Sequence, residues 1–125
     1  MKKMGAKVRR GIILASMFVV MSSSVVLAAR NSDDVGFAEL NVDRSGTQAR
    51  ALAMTYSKTA EFKYSFLDVT TYYNDGSDWT TNKTAVGVNA AAQYNSGYQD
   101  ADGFESFHRC ENSKGHIGFN CRLSG

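Results

Sequence analysis

The chain has 125 residues, no proline and a formal net charge of +2. Five of its fourteen basic residues lie within the first ten positions and all twelve acidic residues lie beyond them, so the remainder has nine basic against twelve acidic residues and a net charge of −3. Because the Lys and Arg residues of that remainder are scattered singly, the composition argues against nucleic-acid binding. A chain of this length has room for one domain with a modest core.

Residues 1–29 have the three parts of a secretory signal peptide. The basic segment MKKMGAKVRR is followed by the apolar run GIILASMFVVM and then by SSSVVLAAR, which ends in small residues. We predict cleavage after Ala28, which puts Val26 and Ala28 at the positions that the peptidase reads, or after Ala29. The alternative is an uncleaved leader that anchors the chain, because residues 11–29 approach the ~17–25 residues that span a bilayer. In both cases the following residues are expected outside the cell.

Residues 30–125 are predicted to form a single secreted domain, because no linker interrupts them. Their dominant hydrophobic period is two, which indicates β-strands. The pattern predicts about six strands, in the segments 36–42, 49–57, 61–73, 84–92, 104–110 and 116–123. Turn residues such as Asn, Asp, Gly and Ser separate these segments. The predicted fold is therefore all-β, a small antiparallel sandwich or barrel.

Within the segment 61–73 the apolar side chains change face. Tyr64 and Phe66 share one side of the strand, whereas Leu67 and Val69 lie on the other. Such a change predicts either a β-bulge or a strand that is buried on both sides.

The chain has two cysteines, Cys110 and Cys121. An even number of cysteines in an exported chain usually indicates a disulfide, so we predict a Cys110–Cys121 bond. The alternative is a zinc site that also uses His108 and His116, but the spacings differ from those of known zinc motifs. We predict no metal ion and no cofactor.

The stretch TTYYNDGSDWTT, residues 70–81, combines aromatic and acidic side chains around a glycine. The tripeptide 74–76, Asn-Asp-Gly, favours a tight hairpin turn. Rings beside carboxylates are also typical of a ligand-binding surface, where the rings stack and the acids accept hydrogen bonds. The candidate contact residues are Tyr72, Tyr73, Asp75, Asp78 and Trp79. Two alternatives stay open: cross-strand packing of Tyr73 on Trp79, and a calcium site built from two loops.

No enzyme signature is present. A hydrolase built from Ser106, His108 and Asp102 lacks the nucleophile elbow that would support it, and a glycine-rich phosphate loop is missing. The overall texture resembles that of small secreted proteins of Gram-positive bacteria, without a motif that identifies a family.

The sequence therefore predicts a secreted, non-catalytic β-domain that binds at the cell envelope or to an extracellular partner. A bacteriocin-like antibacterial protein is the first alternative, although membrane-active proteins usually carry a basic amphipathic face. A small secreted hydrolase is the least favoured of the three functions. The β-prone run 61–73 also makes a homo-oligomer possible.

Overall fold

The computed structural model describes the backbone of residues 24–125 and the side chains from residue 28 onward. This part of the chain forms eight strands and no helix. They are β1 (Ser24–Ser32), β2 (Gly36–Ser45), β3 (Gln48–Ser57), β4 (Tyr64–Tyr73), β5 (Asp78–Val86), β6 (Ala92–Asn95), β7 (Ala101–Glu111) and β8 (Ile117–Ser124). The absence of helix there also means that no helix long and apolar enough to cross a membrane is found among these residues.

The strands form two antiparallel sheets that pack face to face. Sheet A has the order β1-β2-β3-β6 and sheet B the order β5-β4-β7-β8. β3 packs against β4 and β7, and β2 packs against β7 and β8. The all-β prediction is confirmed as a two-sheet sandwich. The barrel alternative is wrong, since neither sheet closes on itself.

Two strands account for the difference between the six expected and the eight observed. β1 lies in a segment most of which the sequence predicts to belong to the leader. The predicted strand 84–92 is instead divided between sheets: β5 ends at Val86, and β6 begins at Ala92 in sheet A. Between them Gly87 and Asn89 adopt positive φ angles of 128° and 62°. A strand does not continue through such a conformation, so the chain turns there and crosses to the other sheet.

The predicted leader falls mainly on residues 1–23, which lie outside the described residues. Its last residues, 24–29, belong to β1, which pairs with β2 in unbroken register from Ser24–Ser45 to Ser32–Phe37. Both predicted cleavage points therefore lie inside a strand of sheet A.

The core between the sheets is built mainly from small and medium side chains. On β3, every second residue faces sheet B and is fully or almost fully buried: Ala49, Ala51, Ala53, Thr55 and Ser57. Leu40, Val42, Leu67, Val69 and Phe104 complete this layer. Because packed sheets lie only ~10 Å apart, small residues on one sheet leave room for the larger ones opposite.

β4 alternates regularly, which explains the face change seen in its sequence. Ser65, Leu67 and Val69 face the core, whereas Tyr64 and Phe66 lie on the outer face of sheet B. The strand has no bulge at that point. Its pairing with β7 shifts only at Tyr72/Tyr73.

Candidate functional site

The stretch 70–81 is the hairpin that joins β4 to β5. The Tyr73 N–H donates to Ser77 O at 2.8 Å, and the Gly76 N–H donates to Tyr73 O at 3.0 Å. Gly76 has a φ of 91°, which a glycine adopts without strain. The Asp75 carboxylate accepts the Ser77 N–H at 2.9 Å and so fixes the turn from within. The predicted turn at 74–76 is therefore present.

The five candidate contact residues do not form one surface. Tyr72 is paired with Asp78, and both lie on the outer face of sheet B, where Tyr72 is half-buried. Trp79 is paired with Thr71, a buried residue, so its ring lies on the opposite, core-facing side of β5. Trp79 is nevertheless 67% exposed.

The other two candidates, Tyr73 and Asp75, line a polar cleft at the hairpin end of the sandwich, together with Asp100. The stacked ring pair found among the described residues is Phe37–Tyr56, and Trp79 has no ring contact there. The described part of the chain likewise contains no group of three His, Cys, Asp or Glu side chains that could hold a metal ion.

The outer face of sheet B brings Tyr72 together with rings and cations that the sequence analysis did not predict as contact residues. We call this surface the aromatic face. Its half-buried rings belong to β4 and β7, and they are Tyr64, Phe66, Tyr72 and Phe107. The pairing places Phe66 opposite Arg109 and Phe107 opposite Arg122. Aromatic and cationic side chains therefore alternate across the strands.

Cation–π contacts order this face. The Arg109 guanidinium lies 4.5 Å from the centre of the Phe66 ring, and that of Arg122 lies 5.7 Å from the centre of the Phe107 ring. Lys63 stands 5.8 Å from the centre of the Tyr64 ring. Such contacts hold a cation over a ring at a distance where the attraction is significant. The rings are thus partly covered by charged groups rather than bare.

Hydrogen bonds between neighbouring strands complete the aromatic face. The Thr70 and Thr80 hydroxyls lie 2.7 Å apart, and the Asn82 amide donates to the Asp68 carboxylate at 2.5 Å. The Tyr72 hydroxyl donates to Glu105 at 3.1 Å. Burial raises the pKa of Tyr72, and the nearby Glu105 charge raises it further, so the phenol stays a neutral donor. The side chains of this face are therefore held in place by one another.

The candidate hydrolase residues are not assembled into a site. His108 is fully buried between the sheets, with Thr55 Oγ1 2.7 Å from its Nδ1 and Ser106 Oγ 2.7 Å from its Nε2. Burial lowers the pKa of His108 to about 4, so the ring is neutral at pH 7. Asp102 is exposed and lies six residues along β7 from His108, a distance of ~20 Å in a strand. The His108 side chain has no exposed surface in the described part of the chain.

The predicted Cys110–Cys121 disulfide is wrong for this structure, in which both thiols are free. Cys110 is paired with Phe119, and Cys121 with His108, so the cysteines are displaced by two residues along the hairpin. The β7–β8 turn fixes this register: Asn112 Oδ1 accepts the N–H groups of Lys114 and His116, both at 2.9 Å. Burial raises the pKa of Cys121 to about 11, which keeps its thiol protonated.

A second exposed surface lies on the outer face of sheet A. Phe37 and Tyr56 stack there with ring centres 4.9 Å apart. Next to them, Leu52 is 39% exposed and Met54 is half-buried, and both line a cleft between β2, β3 and β6. This surface has fewer charged groups than the aromatic face.

The alternation of the sequence contained only part of the signal for the aromatic face. Segment 49–57 alternates small with large side chains, and the small set faces the core. In segment 61–73 the core-facing set includes Leu67 and Val69, so side-chain size does not tell which face of that segment is inside. Phe107, Arg109 and Arg122 carry no local pattern, because only the pairing of β7 with its neighbours brings them onto this face.

Comparison with known proteins gives no match for this chain among protein-family models, among curated proteins or among solved structures.

Proposed function

We propose that this protein is an exported, non-catalytic binding domain that contacts its target through the aromatic face. The observation that carries the proposal is the position of the large rings. Tyr64, Phe66 and Phe107 lie on the outside of sheet B, while alanine, serine and threonine occupy much of the interior. Each ring left outside forgoes part of the ~1.5–3 kcal/mol that full burial of a Phe side chain contributes. A surface that keeps such rings gains that energy when a partner covers them.

The composition of the face favours a protein as the partner. Aromatic residues and arginine are enriched in protein–protein interfaces and supply most of their hot spots. A sugar ring would need an open aromatic surface, but the Arg109 guanidinium lies over Phe66. Two of the cations also have acidic partners, Arg109 with Glu111 and Arg122 with Glu105. The face therefore offers ordered, nearly neutral pairs rather than a strong field of one sign.

Export rests on the sequence of residues 1–29, with its basic, apolar and small-residue regions. The net charge of −3 beyond this segment, and the pairing of arginines with acids on sheet B, give no basic amphipathic face. For that reason we prefer an envelope or extracellular protein target to the bacteriocin-like alternative.

Binding to isolated cell envelopes and to proteins of the culture medium tests the proposal. We expect the double variant Phe66→Ala/Phe107→Ala to bind at least tenfold more weakly than the unmodified protein. The matched control is Leu52→Ala/Met54→Ala, which removes an exposed and a half-buried apolar side chain from the outer face of sheet A. This control should bind normally, and thermal unfolding should show that both variants are folded.

Two results would contradict the proposal. If the sheet B variant binds as well as the unmodified protein, the aromatic face is not the contact surface. If binding survives digestion of the envelopes with protease but is lost after digestion of their polysaccharides, the target is a carbohydrate and the argument for a protein partner fails.

A further inference from the structure

β5 has more exposed side chains than the other border strands whose side chains are fully described, β6 and β8. β5 spans Asp78–Val86, is the outermost strand of sheet B and pairs with β4 alone. Its register with β4 has no shift, and its other edge is paired with no strand in the part of the chain that the structure describes. Natural proteins usually protect such edges with proline, bulges, charges or covering loops. Here proline and bulges are missing, and Lys83 is the single cation on the strand.

Alternation of the hydrogen bonds identifies the backbone groups at this edge. Tyr73 and Ser77 are hydrogen-bonded across the turn, so the next hydrogen-bonded pairs are Thr71–Trp79 and Val69–Thr81. The N–H and C=O groups of the even-numbered residues therefore point away from β4. These residues are Asp78, Thr80, Asn82, Thr84 and Val86.

Both faces of β5 are also unusually exposed. The border strand of sheet A on this side is β6, which is only four residues long. Sheet A therefore leaves most of the core-facing side of β5 uncovered. Trp79 lies on that side and is 67% exposed, although it is the largest side chain in the protein. At the other end of the strand Val86 is 60% exposed. An open edge flanked by exposed apolar side chains is suited to pairing with another strand.

We propose that β5 pairs antiparallel with β5 of a second copy of this chain, about a two-fold axis. The β5 sequence is complementary to itself in such a pair. In an antiparallel pair, directly opposed residues lie on the same face of the sheet. The core-facing residues of β5 have odd numbers and must oppose odd-numbered residues of the other copy. The numbers of two opposed residues therefore add to an even number. An axis through Thr81 meets this condition and places Trp79 of each copy opposite Lys83 of the other, as a cation–π pair formed twice.

The remaining pairs of this register are also favourable. Thr81 meets its own copy, Thr80 meets Asn82, and Asp78 meets Thr84, so no two like charges are opposed. An axis through Lys83 would instead oppose the two lysines, which is unfavourable. The isologous pair closes on itself and leaves no further β5 edge open.

The two-fold pair extends sheet B into one sheet of eight strands. Both aromatic faces then lie on the same side of this sheet, although the dimer itself does not depend on their function. If the target is multivalent, the second contact becomes intramolecular and strengthens binding without new side-chain contacts.

Sedimentation velocity of the protein recovered from culture medium tests the proposal, over concentrations from about 1 to 300 µM. We expect a concentration-dependent shift from monomer to dimer. Thr84→Pro removes an N–H that faces the free edge and not β4, so the monomer should fold while the dimer is lost. Thr84→Ala keeps the N–H and is the matched control, which should dimerise normally. Replacing Lys83 by Ala should weaken the dimer by about tenfold, because two cation–π pairs disappear.

A monomer at all these concentrations would overturn the proposal, as would a Thr84→Pro variant that dimerises like the control. If Thr84→Pro fails to fold, amide hydrogen exchange of the unmodified protein decides. Slower exchange at Thr80, Asn82 and Thr84 at high concentration supports the β5 pair, and equal rates at both concentrations exclude it.

Discussion

The seam between the two sheets and the aromatic face differ in the side chains that they hold. Beside its apolar residues, the seam contains five fully buried polar side chains, those of Thr55, Ser57, Ser65, Ser106 and His108. The aromatic face, one layer further out, carries tyrosine and phenylalanine. Both regions are ordered by hydrogen bonds and close contacts. In the seam, polar side chains are hydrogen-bonded to one another within the fold. The outer rings, in contrast, keep exposed area that only a partner can bury.

This difference shows that a buried position in a thin sandwich selects for size and hydrogen bonding as much as for hydrophobicity. A Ser or Thr costs little in the interior when its hydroxyl has a partner. Apolar bulk that does not fit between the sheets is then found outside.

Replacing His108 by Ala should destabilise the fold most, by about 4 kcal/mol in the free energy of unfolding. The change leaves a cavity and removes the common hydrogen-bond partner of Thr55 and Ser106. Chemical denaturation measures the loss. A change below about 1 kcal/mol would mean that the seam depends on packing elsewhere. Phe66→Ala, on the aromatic face, is the control and should cost far less, because its ring is only half-buried.

Acid should weaken the seam before it affects the rest of the interior. The pKa of His108 is lowered from its ordinary 6.5 to about 4. Below pH 6.5 the unfolded chain therefore takes up a proton that the folded chain refuses. The contribution of neutral His108 to the free energy of unfolding is therefore complete above pH 6.5. It is lost as the pH falls towards 4, and the total loss is about 3 kcal/mol.

Denaturation at several pH values, compared with His108→Gln, isolates this contribution from that of the carboxylates. The Gln variant cannot titrate, so its stability should fall less steeply between pH 6.5 and 4. Parallel curves for the two proteins would show that His108 is protonated in the folded state as easily as in the unfolded one.

Two adjacent residues of β3 test the size rule with a smaller effect. Ala51 is fully buried in the seam and Leu52 is 39% exposed on the other side of the strand. Ala51→Leu should cost about 2 kcal/mol, because the added atoms have no space between the sheets. Leu52→Ala should cost no more than about 0.5–1 kcal/mol, although it removes as many atoms as Ala51→Leu adds. Thermal unfolding of both variants gives the comparison, and the reverse order would mean that the outer side of β3 forms the true core.

Much of the architecture was accessible from the sequence, and the failures have physical causes. Turn chemistry located the 74–76 hairpin, and period-two alternation located most of β2, β3, β4, β7 and β8. Alternation does not tell which of two faces is inside, so the aromatic face was missed. The division of 84–92 depended on the positive φ at Gly87 and Asn89, and the fate of the cysteines depended on the register of a hairpin. Neither is a local property of composition.

The candidate contact residues illustrate the same limit. Tyr72 and Asp78 lie on the aromatic face as neighbours, but Trp79, the next residue, lies on the other side of β5. Nearness in sequence places residues in one strand, and the pleat then separates them. For this reason the turn was predictable, whereas the surface around it was not.

The first strand has a consequence for the life history of the molecule. Six of the nine β1–β2 pairs lie between Ser24 and Ala29, in the segment that ends the predicted signal peptide. A peptidase that cuts after Ala28 or Ala29 would therefore trim the sheet as well as release the chain. The precursor would have a complete β1 as the border strand of sheet A. The released protein would begin with only the last residues of β1, so most of the β2 edge would be unpaired. In that case the exported protein would differ from its precursor in the hydrogen bonding of sheet A, because hydrolysis of one peptide bond would remove most of β1.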